Sequence, residues 1–364
     1  MVKDPVPLAD VRRALVIKLR HHGDVLLSSP VFSVLKAHAP QVEIDALVYA
    51  DTAEMLTLHP AISQVHGIDR QWKKLGPLGQ LAAEWRLLQT LRGRRYDLVV
   101  HLTEHPRGAW LARFTGARWA VAPKVNGRGG FWRKAFTHFH SSPRGTPRHT
   151  VETNLDALRR IGLYPARDER RVTLVPGGNA EARVDALLRE HRLESGRFVH
   201  IHPASRWLFK CWTAAGWAAT IERLRAAGWP VVLTAAPGAE EGALVEAIQR
   251  RLAAPAISLA GQLSLKELAA LTARARLFVG VDSAPMHMAA AMDIPTVALF
   301  GPSGEKHWGP WSNDGAPRHR VVASLNHSCR PCGIDGCGGG KVSDCLESLP
   351  AEAVYAAIDE LLPA

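Results

Sequence analysis

Four stretches place acids, a base and small residues directly after apolar runs. They are Asp24 in RHHGDVLL, Ser205 and Lys210 in HPASRWLFKCW, Glu240 in TAAPGAEEGALV, and Asp282, Ser283, Ala284 and His287 in VDSAPMHMAAA. A carboxylate such as Asp24 at the rim of a sheet either caps the helix it opens or, desolvated beside a ligand, takes a proton as a general base. Small and hydroxyl residues around Ser205 can cradle phosphate, and Lys210 can neutralise the charge that builds on a leaving diphosphate. Glu240 can accept hydrogen bonds from a ribose diol or simply complement a helix dipole. Asp282 and Ser283 are both good N-cap types, and Pro285 falls where a missing N–H costs least. Ala284, Ala289, Ala290 and Ala291 let that helix lie close to the sheet, with His287 one turn in. Unpaired N–H groups and the positive dipole end at such a helix start suit a diphosphate. Taken alone, each stretch also reads as ordinary structure: a capping acid, a core-facing histidine, a surface lysine beside a core tryptophan. Three strand ends offering Lys210, Glu240 and Asp282 to one crevice favour a nucleotide-diphosphate site. Neither a G-x-G-x-x-G fingerprint nor a Walker loop occurs, so dehydrogenase and P-loop readings lose support.

The elements that must carry these residues alternate between strand and helix. Residues 13–20, 43–49, 96–102, 197–202, 230–234, 257–259, 277–281 and 296–300 are apolar runs expected to be buried strands. Helical spacing follows Asp24 despite Pro30, and recurs over residues 77–92, 150–162, 213–227, 240–252, 264–275 and in the closing PAEAVYAAIDELL. Repeated strand–helix alternation predicts doubly wound parallel sheets, an α/β class. With 364 residues and a Pro/Gly/charge-rich linker near residues 165–180, two domains are expected, residues 1–172 and 173–348, with a final helix over 349–364.

A net charge of +11 and a pI near 9.8 favour a polyanionic partner: nucleic acid, an anionic membrane face or a phosphorylated substrate. Mean hydropathy of −0.06 is ordinary for a globular chain; no apolar run reaches spanning length, and MVKDPVPLADVRR lacks a signal-peptide core, so a cytoplasmic protein is expected. Residues 107–148 hold nine Arg and Lys, including Arg128, Arg133 and Arg144, with seven Trp and Phe and no acid. That mixture suits a phosphorylated or amphipathic ligand, with Arg128 and Arg133 as candidate contacts; a solvated face with core aromatics is the alternative. Cys329, Cys332, Cys337 and Cys345 follow a C-x2-C-x4-C-x7-C pattern that could hold zinc or an iron–sulfur cluster, or stay as reduced thiols.

The segments IKLRHHGDVLLSSPV, HPASRWLFKCW, PGAEE and GVDSAPMHMAAAMDIPTVALFGP, in this order, resemble the lipopolysaccharide-core heptosyltransferases of glycosyltransferase family nine from Gram-negative bacteria. RHHGD and the terminal CGIDGCGGGKVSDCLESLP look most like type III, which adds the side-branch heptose to the second core heptose. The resemblance implies a GT-B fold of two Rossmann-like domains facing a cleft, acceptor on the amino-terminal side, ADP-heptose on the carboxy-terminal side, and a last helix returning toward the first domain. It implies inverting transfer without a covalent intermediate. In that scheme Asp24 is the general base, Lys210 binds the diphosphate, Glu240 the ribose and Asp282 the heptose hydroxyls. Ser205, Ser283, Ala284 and His287 lie around the phosphates, with Ser283-Ala284 where Thr-Gly is common. The acceptor would be a phosphorylated heptose on Kdo–lipid A, met by the basic loop with Arg20 and His21. No cofactor is required for the chemistry, Mg²⁺ acting at most as a stimulatory counter-ion and the cysteines needing no metal. The enzyme would sit peripherally on the cytoplasmic face of the inner membrane, with no nucleic acid partner. Another family-nine donor or acceptor, or a non-catalytic polyanion-binding protein, are the alternatives.

Overall fold

The computed structural model describes residues 4–141 and 147–362. The chain forms two compact units, Met1–Thr173 and Leu174–Ala364.

In the amino-terminal unit six parallel strands form one sheet: β1 (Arg13–Ile17), β2 (Glu43–Tyr49), β3 (Gln64–Ile68), β4 (Leu98–His101), β5 (Trp119–Pro123) and β6 (His138–His140). Helices α1 (His22–Leu26), α2 (Ser29–His38), α3 (Gly76–Arg94), α4 (Pro106–Thr115), α5 (Gly130–Ala135) and α6 (Thr150–Arg160) connect them. Strand order is β3-β2-β1-β4-β5-β6. β1 is buried along nearly its whole length, as a central strand covered by helices on both faces must be. Its ladder ends at Ile17, earlier than the apolar run suggests, so residues 18–21 leave the sheet as an irregular segment. The helical pattern after Asp24 is divided at Leu27–Ser28, Pro30 starting α2 instead of interrupting one long helix.

The carboxy-terminal unit repeats the plan with α7 (Gly178–Glu190), β7 (Val199–His202), α8 (Ala214–Ala226), β8 (Val231–Leu233), α9 (Ala239–Gln249), β9 (Ile257–Ser258), α10 (Leu265–Ala273), β10 (Leu277–Val281), α11 (Ala284–Ala291), β11 (Thr296–Phe300), α12 (Glu305–Trp308), β12 (His319–Ala323), α13 (Asp344–Glu347) and α14 (Ala351–Asp359). Its order, β12-β11-β10-β7-β8-β9, is the same 3-2-1-4-5-6 arrangement counted from the unit's own first strand. In each unit the order reverses between the first and fourth strands, and ligands of such sheets bind outside the strand ends at that point. The segments following β1 and β4, and those following β7 and β10, are therefore the positions to inspect. Gly280 lets β10 approach β7: a Cβ there would lie 2.9 Å from the His202 carbonyl and 2.7 Å from the Phe278 ring.

The terminal helix, expected to return toward the first domain, lays its apolar face on its own unit. Val354 and Ile358 of α14 share a core with Trp217, Ile221 and Leu224 of α8, and the Trp212 indole N–H donates to the Leu349 carbonyl at 3.1 Å. The basic aromatic stretch is mostly structure, supplying β5, β6 and α5; Trp132 and Phe136 are core residues, and Arg144 lies outside the described residues. Among the described residues no helix is long and apolar enough to cross a membrane.

Candidate active site

At the end of β1, Lys18 is almost completely buried, its ammonium donating to Asn154 Oδ1 at 2.9 Å and lying 3.5 Å from the Leu102 carbonyl. Asn154, on α6, donates in turn to the Leu27 carbonyl at 2.9 Å and so ties down the end of α1. α1 carries Asp24 in its first turn, half-buried, its carboxylate accepting no hydrogen bond among the described residues. A base needs that freedom, since a carboxylate already saturated with donors has little affinity for a proton. Arg20 and His21 are exposed on the same turn. Arg70 braces it from outside: its guanidinium donates to the Arg20 carbonyl at 3.1 Å, pairs with Asp51 and stacks 3.6 Å over the Tyr49 ring. Arg128 is exposed, donating to the Glu104 carbonyl at 2.8 Å, and Arg133 is exposed on α5. Below them His101, at the end of β4, stacks on Phe136 and is pushed down to about 3 by burial, so it is neutral filling and not a second base. It occupies the space Gly108 leaves open, where a Cβ would come within 2.0 Å of its ring.

Burial pushes the Lys18 ammonium down to about 8 from an ordinary 10.5, against the opposing attraction of Asp24. The unfolded chain therefore holds more protons at this residue between about pH 8 and 10.5, and stability should rise with pH across that window. Lys18→Met should flatten the rise by up to about 3 kcal/mol, read from urea unfolding of both proteins over the same pH series.

In the carboxy-terminal unit Lys210 and Asp282 form one pair, Nζ to Oδ2 2.6 Å, with the carboxylate side chain only 7% exposed. Asp282 stands at the end of β10, and Lys210 on the loop after β7, so the pair spans the point where strand order reverses. Neither expected N-cap acts as one. Asp282 is held by Lys210, and the Ser283 hydroxyl turns back to donate to the Val281 carbonyl at 3.2 Å. α11 consequently begins without a side-chain cap, with Ser283 and Ala284 half-buried at its start and His287 buried one turn in. Ser205 is buried, accepts from the Trp207 N–H, and its own N–H points at the Cys211 sulfur at 3.2 Å. Burial pushes the Cys211 thiol up to about 11, so it shapes the loop as a neutral thiol.

Glu240 is exposed in the first turn of α9 and takes no part in the Lys210–Asp282 pair. Its neighbour Glu241 is the buried one, accepting from the Ala236 N–H at 2.9 Å and closing the loop after β8. Behind that loop Thr272 donates to the Leu268 carbonyl, so its oxygen accepts from His200 Nδ1; Thr234 then donates to His200 Nε2 and accepts from His202 Nδ1. Burial holds both imidazoles neutral, near 3 and 4, which makes this chain a rigid floor under the loops.

The four clustered cysteines are free thiols, Cys329, Cys332 and Cys337 exposed and Cys345 buried. Burial pushes the Cys345 thiol up, against the opposing pull of Arg330. Among the described residues no group of three or more His, Cys, Asp or Glu is disposed to hold a metal ion. Sequence reasoning missed Lys18, Asn154 and Arg70; a lone cation inside the apolar run RALVIKLR was the available signal for the first.

Residues 84–340 match the model of glycosyltransferase family 9 (heptosyltransferase). The chain belongs to glycosyltransferase family 9. This glycosyltransferase is 35% identical over 351 residues to the lipopolysaccharide heptosyltransferase 3 of Escherichia coli, covering 95% of this chain and 98% of that one. Among solved structures it is similar to a family 9 glycosyltransferase from Veillonella parvula, with TM-score 0.81 and 21% identity over 96% of this chain and 97% of that one. It is similar as well to the Escherichia coli ADP-heptose lps heptosyltransferase II, with TM-score 0.75 and 21% identity over 96% and 98%. Its two parallel-sheet units are the Rossmann-like domains of the GT-B fold.

Proposed function

We propose that this glycosyltransferase moves a heptose from ADP-heptose to a heptose of the lipopolysaccharide inner core, with the side-branch position of the type III enzymes as its acceptor. The observation that carries the reading is the Lys210–Asp282 pair at the strand-order reversal beside the uncapped start of α11. An ammonium and open N–H groups at one strand edge are what a departing diphosphate needs. The full-length identity to a lipopolysaccharide heptosyltransferase 3 supports the choice of sugar and acceptor.

In this scheme Asp24 takes the proton of the acceptor hydroxyl as that oxygen bonds to the anomeric carbon. The bond from that carbon to the diphosphate breaks on the opposite side, which inverts the centre, and ADP leaves with the electron pair. Lys210, Ser205, Ser283, Ala284 and His287 surround the diphosphate, Asp282 the heptose hydroxyls and Glu240 the ribose. Arg20, His21, Arg128 and Arg133 meet acceptor phosphates. Asp282 is paired with Lys210, and Mg²⁺ would act as a stimulatory counter-ion to the diphosphate. The acceptor is lipid-linked, which places the enzyme peripherally on the cytoplasmic face of the inner membrane.

Thermal unfolding with ADP, ADP-heptose, UDP, GDP and NAD tests the nucleotide site. At about 100 times its dissociation constant a ligand stabilises by roughly 2.7 kcal/mol, so ADP and ADP-heptose should raise Tm while the others leave it in place. No shift with either, or equal shifts with UDP and GDP, would overturn the assignment.

A further inference from the structure

α3 carries a wider apolar face than its own core covers. Ala83, Leu87, Leu88 and Leu91 face the core of the amino-terminal unit. Beyond them Leu78 is 84% exposed, Leu81 65% and Trp85 54%, with Leu75 just before the helix 55% exposed. At 100° per residue Leu78, Leu81 and Trp85 fall within about 60° of one another, running from beside buried Leu88 round to the side away from Leu87, so they form one stripe that extends the core face outward. A surface helix ordinarily carries polar residues on its outer face, and a run of large apolar side chains there marks a surface built to be covered.

Charge says what covers it. Residues 70–95 contain seven Arg and Lys and a single acid, Glu84, which is paired with Arg107. Lys73, Lys74, Arg86, Arg92 and Arg95 are exposed and, among the described residues, in no ion pair. A second copy docking through the same face would set these five cations against five identical ones. An anionic bilayer accepts them, its headgroups taking the cations while leucines and an interfacial tryptophan enter the acyl boundary.

We propose that the outer face of α3, with Leu75, Leu78, Leu81 and Trp85 at its centre and Lys73, Lys74, Arg86 and Arg92 at its rim, seats this glycosyltransferase on an anionic phospholipid surface. The inference deepens the membrane placement of the proposed function and rests on it for the choice of a bilayer. It assigns that role to one element of the amino-terminal unit.

The test is flotation with vesicles of phosphatidylcholine alone or with about a third phosphatidylglycerol. The protein should bind the anionic vesicles about tenfold or more tightly than the neutral ones, and weaken in high salt. Leu78→Glu combined with Trp85→Glu should lower anionic-vesicle binding about tenfold or more, and Arg86→Glu with Arg92→Glu should remove the lipid preference. All four positions are solvent-exposed, so circular dichroism and the ADP-induced Tm shift should stay as in the wild type. Wild-type protein that fails to float with anionic vesicles, or apolar-face variants that float as well as wild type, overturns the proposal. So does a stripe-dependent dimer seen by light scattering with vesicle binding unchanged by the substitutions. Because flotation needs neither nucleotide nor transfer, its failure is distinguishable from failure of the donor site, which the ADP shift reads separately.

Discussion

Asp24→Asn should lower the rate of heptose transfer by about 10³-fold while leaving the ADP-induced Tm shift unchanged. Positioned proton transfer contributes on the order of 10²–10⁴ to a rate, and the amide keeps the size and polarity of the side chain while losing its basicity. The substitution is a clean probe because the Asp24 carboxylate accepts no hydrogen bond among the described residues, so no buried donor is left stranded. Asp24→Glu, which retains a base displaced by one methylene, should recover part of the activity. The measurement is release of ADP in the presence of acceptor, by steady state and by single turnover. A variant within a few-fold of wild type in single turnover would mean that Asp24 caps or orients the turn and that the proton goes elsewhere.

Lys18 bears on the same experiment. Its ammonium attracts the Asp24 carboxylate electrostatically, and through Asn154 it is linked to the end of α1. None of this is written locally, since Lys18 and Asn154 are 136 residues apart. The apolar runs that became β1, β2, β4, β7, β8, β10 and β11 were readable because strands covered on both faces are nearly all apolar. β3, β6 and β12 were not, because QVHGI, HFH and HRVVA lie at or next to sheet edges and mix polar with apolar residues. β5 was hidden by the basic residues on either side of WAVAP.

Side-chain commitments were harder still. Asp282 and Ser283 have the composition of N-caps, yet the strand-order reversal brings Lys210 to Asp282, and an ammonium outcompetes a helix N–H for that carboxylate. Glu240 and Glu241 are indistinguishable by type; only the position of the Ala236 N–H and the loop after β8 makes one a buried brace and leaves the other exposed. In the basic stretch Trp132 and Phe136 close the core over His101, while Phe131, Arg128 and Arg133 remain outside. Core aromatics beneath exposed arginines are what a solvated face expects, and the exposed Arg128 and Arg133 stay available for the proposed acceptor contacts.

Lys210→Ala should remove the ADP-induced Tm shift and lower kcat/KM for ADP-heptose by about 10²–10³, the loss of one preorganised group facing the charge that develops on a leaving diphosphate. Lys210 and Asp282 compete and cooperate in a way two further variants can separate. The ammonium that holds Asp282 at 2.6 Å is the same one the diphosphate would draw upon. Asp282→Asn loosens that ammonium, so ADP, which carries no heptose, should bind at least as well as to wild type, while turnover of ADP-heptose falls because the sugar hydroxyls face one neutral amide oxygen in place of a charged carboxylate. Lys210→Ala instead strands a carboxylate that is only 7% exposed, a change that destabilises the unit even without ligand. In the double variant, Lys210→Ala with Asp282→Asn, that stability loss should be largely recovered while ADP binding stays weak. Stability and affinity thus separate across the cycle, both falling in Lys210→Ala but only stability returning in the double variant, which a merely structural ion pair would not produce. Isothermal titration with ADP, alongside urea unfolding of the four proteins, reads both, and a Lys210→Ala protein that binds ADP like wild type would remove the pair from the diphosphate site.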